Sequence, residues 1–152
     1  MKHEQLFPTS PHLHLYTAKN MLPEYIEGGL HTDARGTLRF CNDFDLSAVK
    51  RFYTIANSAE QPRRGWIGHK KENKWFFPVR GETTIVVSPM DESTNLTRYS
   101  RLHYTLHADS PAVLKVPCNN WFYLEQHDGA EVMVFSDCKV GEYENDDLRR
   151  PL

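Results

Sequence analysis

Along this chain, short runs of alternating apolar and polar residues are separated by clusters of turn residues. The runs are rich in β-branched and aromatic side chains, which favours strands over helices. Predicted strands cover residues 37–41, 49–56, 64–69, 75–79, 83–87, 99–107, 112–116, 121–125 and 132–136. The pairs Arg35-Gly36 and Gly81-Glu82 predict turns, the second a tight turn between neighbouring strands. Residues 12–16 also alternate with period two and predict an edge strand.

Helical periodicity is weak throughout the sequence. The best candidates for a turn or two of helix are residues 45–50 and 146–150. Many short strands at this spacing indicate an all-β sandwich or barrel, and a jelly roll is the architecture that we predict. A chain of 152 residues is long enough for one core, so residues 1–152 are expected to form a single domain.

The composition is that of a folded, water-soluble protein, with 39% hydrophobic and 25% charged residues. Cys41, Cys118 and Cys138 are far apart and odd in number, which argues against a disulfide framework or a zinc site. The sequence shows neither an apolar signal core at its start nor a run of transmembrane length. These features predict a cytoplasmic protein without a membrane partner.

Charge is distributed unevenly, although the formal net charge is only −2 and gives no reason to expect nucleic acid as a partner. Between Lys50 and Arg80 there are eight basic residues and two acidic ones. A basic zone of this kind beside a pocket suits a phosphorylated small ligand. Solvated strand faces would produce the same excess of charge, and the sequence alone leaves both interpretations open.

Within this zone, residues 64–71 have the sequence RGWIGHKK and overlap a predicted strand. Side chains two residues apart on a strand face the same side, so Ile67 and His69 are expected to face one side together. Trp66 is then expected to face the other side and to belong to the core. A hydrophobic strand follows and ends at Gly81.

This pattern resembles the first motif of the cupin-type nucleotide-sugar enzymes. These are the dTDP-4-dehydrorhamnose 3,5-epimerase-like proteins and, more closely, the dTDP-sugar 3,4-ketoisomerases of the WxcM-like group. Further matching elements are DARGTL at residues 33–38, VKRFY at 49–53, Gly81 and LKVP at 114–117. The resemblance extends from about residue 28 to residue 137, and it implies an RmlC-like cupin jelly-roll barrel.

The resemblance also implies a function. Such enzymes bind a nucleotide-diphosphate 4-keto-6-deoxy sugar in the mouth of the barrel, act as homodimers and serve surface-polysaccharide synthesis. They need no cofactor, because the C4 ketone acidifies the neighbouring C3 proton. A base removes this proton and a donor stabilises the enolate oxygen, which are roles that histidine can fill near neutral pH.

Three residues match catalytic positions of the family. His69 matches the second histidine of the ketoisomerase H-x-H pair, and Arg64 matches the arginine of the shared Arg-Gly element. Tyr53 falls in the segment that supplies an active-site tyrosine in the ketoisomerases, and a half-buried core tyrosine is the alternative interpretation.

Four further residues are expected to contribute to substrate binding. Arg35 and Arg51 are candidates for contacts with the diphosphate, because forked guanidinium groups suit phosphate oxygens. Lys74 and Ile67 occupy positions of the motif that other cupins fill with polar groups. Ile67 takes the place of the first histidine, which is often assigned as the base.

The substitution at Ile67 leaves two functions open. Either the protein is an enzyme, in which His69 alone performs the acid–base chemistry or another residue such as Tyr53 replaces the missing base, or it is a non-catalytic cupin that binds a nucleotide sugar or another carbohydrate. A metal-dependent cupin is disfavoured, because Lys74 and Phe122 stand where a glutamate and a histidine ligand are expected.

Overall fold

The computed structural model describes residues 22–90 and 101–152, which contain twelve strands and no helix. The strands are β1 (Glu24–Glu27), β2 (Gly29–Asp33), β3 (Gly36–Phe40), β4 (Arg51–Ile55), β5 (Arg63–His69), β6 (Lys74–Arg80), β7 (Glu82–Pro89), β8 (Leu102–His107), β9 (Ala112–Val116), β10 (Asn120–Gln126), β11 (Glu131–Ser136) and β12 (Leu148–Arg149). Within these ranges no helix is long and apolar enough to cross a membrane.

Two antiparallel five-stranded sheets and one hairpin are built from these strands. The first sheet has the order β1-β9-β6-β11-β4, and the second has the order β12-β5-β10-β7-β8. The inward side chains of both sheets meet in one apolar core, in which Phe76, Ile85, Leu114, Leu124 and Val134 are fully buried. Alternation of inward apolar and outward polar residues therefore produces the predicted all-β jelly roll.

The chain changes sheets at Gly81, between β6 and β7. Gly81 has a positive φ of 64°, which glycine adopts without steric strain. The predicted tight turn is therefore present, but the two strands that it joins do not pair. β6 pairs with β9 and β11, whereas β7 pairs with β8 and β10.

A β-bulge interrupts the pairing of β5 with β10. Phe122 lies opposite Ile67, but the next residue on β10, Tyr123, lies opposite Gly65. Trp66 consequently has no counterpart on β10. Gly65 has a φ of 131°, and a Cβ at this position would lie 2.7 Å from the Cβ of Tyr123.

The bulge reverses the alternation of side chains along β5. Arg64 therefore lies on the same side as Ile67 and His69, and all three line one cavity. Trp66 faces the opposite side and packs edge-on against Tyr123, with ring centroids 4.7 Å apart. Trp66 thus belongs to a buried aromatic cluster outside the cavity, as expected from the sequence.

Some segments differ from the sequence prediction. Residues 146–150 were expected to be helical, but they contain β12, because this segment pairs with the exposed edge of β5. Residues 45–50 form a hydrogen-bonded turn between Leu46 and Val49. Strands β1, β2 and β12 were not predicted. The predicted edge strand at 12–16 and the first two residues of the strand at 99–107 lie outside the described residues.

Two glycines with nearly equal φ test the packing at the bulge. Gly36 has a φ of 126° and open space around its Cβ position, so Gly36→Ala should destabilise the protein by about 1 kcal/mol through backbone strain alone. Gly65→Ala adds a clash with β10 and should destabilise it by about 3 kcal/mol or more. Urea unfolding of both variants measures the difference, and equal losses would contradict close packing at Gly65.

Candidate functional site

A cavity of about 450 Å³ opens between the two sheets. Strands β4 and β6 of the first sheet and β5 and β10 of the second supply side chains to it. The segment 138–149, which ends in β12, forms the remaining wall. Six of the residues singled out from the sequence line this cavity, namely Arg51, Tyr53, Arg64, Ile67, His69 and Lys74.

Arg35 is not among the residues that line the cavity. It lies in the turn between β2 and β3, where its guanidinium pairs with the carboxylate of Asp33 at 2.5 Å. The side chain is 88% exposed. Within one subunit, therefore, Arg35 does not contribute to the candidate site.

His69 is buried and held at one ring nitrogen. Its Nδ1 lies 2.8 Å from the main-chain carbonyl oxygen of Asp146. A carbonyl oxygen can only accept, so Nδ1 carries the hydrogen and donates it. Nε2 of the neutral ring is then an acceptor; the atom is buried, and it has no hydrogen-bond partner among the described residues. His69 can therefore accept a proton at Nε2.

The surroundings of His69 keep the ring neutral. Burial lowers its pKa below the ordinary value, and the positive charge of Lys74 lowers this pKa further. Glu72 and Asp146 act in the opposite direction without reversing the shift. At neutral pH the imidazole is consequently in its basic form.

Lys74 is buried beside Tyr53 on the opposite sheet from His69. The Nζ atom of Lys74 lies 2.6 Å from the Tyr53 hydroxyl oxygen. An ammonium group only donates, so the tyrosine oxygen accepts this bond and its own hydrogen is free to be donated to another group. The pair is therefore a polarised hydroxyl donor at the cavity wall.

Glu72 connects the two sides of the site. Its Oε1 accepts hydrogen bonds from Arg51 Nη2 at 3.0 Å and from Ser136 Oγ at 2.5 Å, and it lies 3.3 Å from Lys74 Nζ. Its Oε2 lies 3.3 Å from His69 Nδ1. This buried carboxylate is thus the common counter-ion of two cations and a histidine.

The two cavity arginines have different surroundings. Arg51 donates from Nε to the carbonyl oxygen of Cys138 at 2.8 Å and from Nη2 to Glu72. Arg64 is exposed, and among the described residues its side chain makes one hydrogen bond, from Nε to Asn57 Oδ1 at 3.2 Å. Arg64 is therefore the more available of the two for an anionic ligand.

Ile67 gives the cavity an apolar wall next to His69. It is 7% exposed and belongs to the core cluster that also contains Phe76 and Phe122. The two phenylalanine rings are in edge contact at 5.5 Å, and the Phe122 ring lies 6.2 Å from the His69 ring. Position 67 is thus packed with hydrocarbon.

Three buried side chains have the types of ligand that metals prefer, since donor atoms of His69, Glu72 and Asp146 lie within 4.8 Å of one another. These donors are already engaged. Nδ1 of His69 carries a hydrogen, the Asp146 carboxylate accepts from the main-chain N–H groups of residues 70–72, and Glu72 faces the ammonium of Lys74. An adjacent ammonium and a protonated nitrogen do not fit a divalent cation.

Sequence reasoning did not identify Glu72 or Asp146 as parts of the site. Glu72 is one of only two acidic residues in the basic zone between Lys50 and Arg80, and this isolation was the signal in the sequence that it compensates neighbouring cations. Asp146 lies 77 residues from His69, in a segment without a recognisable motif. The same segment brings Lys139 and Arg149 to the cavity wall.

Solved structures share this fold. A 3,4-ketoisomerase from Helicobacter canadensis is 21% identical, with a TM-score of 0.64 over 86% of this chain and 92% of its own. The sugar 3,4-ketoisomerase QdtA from Thermoanaerobacterium thermosaccharolyticum, solved in complex with TDP, is 22% identical, with a TM-score of 0.63 over 86% of this chain and 90% of its own. The RmlC epimerase from Mycobacterium tuberculosis is 18% identical, with a TM-score of 0.63 over 84% of this chain and 68% of its own.

The predicted RmlC-like cupin fold is therefore confirmed. No protein-family model and no curated protein matches the sequence. At these identities the likeness concerns the fold, and a shared fold does not by itself define the chemistry of a site.

The charges around His69 lead to opposite predictions for two variants. Lys74→Met removes a positive charge and should raise the pKa of His69, whereas Glu72→Gln removes a negative charge and should lower it. An NMR titration of the His69 ring measures both shifts. Lys115→Met, on the outer face of the first sheet, should leave this pKa unchanged. Shifts of the same sign in the first two variants would contradict the described electrostatics.

Proposed function

We propose that this protein is a cofactor-independent isomerase or epimerase of a nucleotide-linked 4-keto-6-deoxy sugar. The observation that carries the proposal is the neutral His69, with an unpartnered Nε2, in the same cavity as the Lys74–Tyr53 donor pair. The solved structures of similar fold, which include dTDP-sugar ketoisomerases and an epimerase, support this substrate class.

In the first step, Nε2 of His69 removes the C3 proton, which the neighbouring C4 ketone acidifies. The electron pair of the C–H bond forms the C3–C4 double bond, and the ketone becomes an enolate. His69 becomes an imidazolium, whose Nδ1–H remains bound to the Asp146 carbonyl and faces the Glu72 carboxylate. The positive charge thus forms beside a negative one, which stabilises it.

The enolate oxygen needs a hydrogen-bond donor in the same cavity. Tyr53 can supply its hydroxyl hydrogen, because its oxygen already accepts from Lys74. The ammonium strengthens this donor by its charge. Transfer of the C3 hydroxyl proton to the C4 oxygen, with return of the abstracted proton to the C4 carbon, gives the shifted ketone. Return of that proton to the other face of C3 gives an epimer.

Binding of the diphosphate is assigned to cationic side chains at the cavity wall. Arg64 is exposed there and has a single side-chain partner, so its guanidinium can form paired hydrogen bonds with phosphate oxygens. Lys139 adds positive charge from the segment 138–149, and Arg149 lies there as an ion pair with Asp147. Arg51 is half-buried and bonded to Glu72 and to the Cys138 carbonyl, which suits it to holding Glu72 in place.

The wider expectations belong to the same proposal. The protein is a single-domain homodimer of the cytoplasm and contributes to surface-polysaccharide synthesis. Leu38 and Phe52 are 62% and 67% exposed, which supports a contact between subunits. If the β2–β3 turn reaches a second subunit, Arg35 can act there, and sedimentation measures the oligomeric state.

A non-catalytic binding protein is the second candidate, and Ile67 favours it. The base that this position supplies in the family is replaced by a buried aliphatic side chain. On this hypothesis the cavity retains a nucleotide sugar or another carbohydrate without converting it.

Proton exchange tests the enzymatic proposal directly. Incubation with dTDP-4-keto-6-deoxyglucose in heavy water should place deuterium on the sugar ring, and NMR or mass spectrometry should detect the product. His69→Gln should reduce the exchange rate by about 10²–10⁴-fold, the usual effect of losing a general base. Absence of exchange with this and related keto sugars would refute the proposed reaction.

His127→Gln is a matched control for His69→Gln. His127 is exposed and pairs with Glu125 outside the cavity, so the same substitution there should leave the exchange rate unchanged. Equal losses in both variants would show that His69 does not act as the base.

Calorimetric titration with dTDP separates the two candidate functions. Both predict binding, and Arg64→Gln should weaken it by about 10-fold, which corresponds to the loss of one charge-assisted hydrogen bond. Binding without exchange supports the binding protein, and in that case Ile67→His should be the variant that gains exchange. Absence of any binding would remove both candidates.

A further inference from the structure

The segment 146–150 lies along the edge of β5, next to His69, and pairs with it through main-chain hydrogen bonds. β12 pairs Leu148 with Gly68 and Arg149 with Ile67. The pairing continues at the next residue of each strand, since Arg150 and Trp66 exchange two main-chain hydrogen bonds of 3.1 Å. The main chain of residue 146 is thereby brought to the end of β5, where His69 lies.

The carboxylate of Asp146 makes a second attachment at the same place. It accepts main-chain hydrogen bonds from Lys70 at 2.7 Å, from Lys71 at 3.1 Å and from Glu72 at 3.0 Å. Asp146 is only 6% exposed, so these bonds are shielded from water. Successive N–H groups that surround an anion form a rigid concave site, which the protein here fills with its own side chain.

The main-chain carbonyl of Asp146 then has a fixed position relative to the imidazole. It accepts from His69 Nδ1 at 2.8 Å. The hydrogen bond made by one ring nitrogen decides which tautomer the neutral ring adopts. With Nδ1 protonated, the lone pair is on Nε2, which has no partner among the described residues.

We infer that Asp146 is a positioning residue, whose carbonyl and carboxylate together hold His69 as the Nδ1–H tautomer with Nε2 available as the base. This inference rests on the proposed function for its catalytic meaning, but the tautomer is a property of the protein alone. Without the carboxylate, the carbonyl is no longer fixed to residues 70–72. Glu72 Oε2, 3.3 Å from Nδ1, still favours the Nδ1–H form, so a part of the molecules then carries the hydrogen on Nε2, and in that form Nε2 cannot accept a proton.

The test is the tautomer of His69, read from the ¹⁵N chemical shifts of its ring, with the signals assigned by their loss in His69→Gln. The unaltered protein should have a protonated Nδ1 and an unprotonated Nε2 above the pKa of the ring. Asp146→Asn keeps one acceptor oxygen but turns an amide NH₂ toward main-chain donors, so part of the Nε2–H form should appear. Asp146→Ala should increase that fraction further.

Asp147→Asn is the matched control, because this neighbouring carboxylate pairs with Arg149 and makes no bond to residues 70–72. It should leave the tautomer unchanged. If Asp146→Ala fails to fold, the Asn variant and the unaltered protein still decide the question. An Nε2–H ring in the unaltered protein, or an unchanged tautomer in folded Asp146→Asn, would overturn the inference.

Kinetics separate failure of the inference from failure of the proposed reaction. Asp146→Asn should lower kcat about 10–100-fold with little change in KM, as expected for a residue that orients a catalytic group. If the tautomer changes in Asp146→Asn but the unaltered protein exchanges no proton, the positioning role stands and the proposed reaction is refuted. If Asp146→Asn exchanges protons at the full rate and its tautomer is unchanged, the positioning role is refuted and the proposed reaction stands.

Discussion

Burial of the Glu72 carboxylate is the constraint on which the site depends. An ionised carboxylate taken out of water is strongly destabilising unless charges and donors surround it. Arg51 from β4, Lys74 from β6 and Ser136 from β11 supply them, and His69 from β5 lies on the remaining side. The compensating cations and the hydroxyl donor therefore all come from the first sheet, and His69 is the contact from the second sheet, so the two sheets meet at this carboxylate.

The bulge in β5 gives the site its composition. Regular alternation from His69 would place residues 67, 65 and 63 inside and Arg64 outside. The extra residue at Trp66 moves Arg64 to the inside and leaves a large aromatic ring on the outer face. The guanidinium of Arg64 can thus reach the cavity from the beginning of β5, while the centre of the strand stays apolar at Ile67.

Much of the fold was predictable because strands have a local signature. Alternation and turn residues located β3 to β11, and the strand at 112–116 was predicted with its observed bounds. β12 could not be predicted, because its two residues are a strand only through pairing with β5. Asp146 and Glu72 were missed for the same reason, since their partners are distant in sequence and leave no periodic pattern.

The position of Lys74 shows why residue type at a motif position is not enough to assign chemistry. A glutamate there could ligate a metal beside His69, whereas an ammonium lowers the pKa of His69 and donates to Tyr53. The same substitution therefore disfavours a cation and creates a neutral base with a polarised donor.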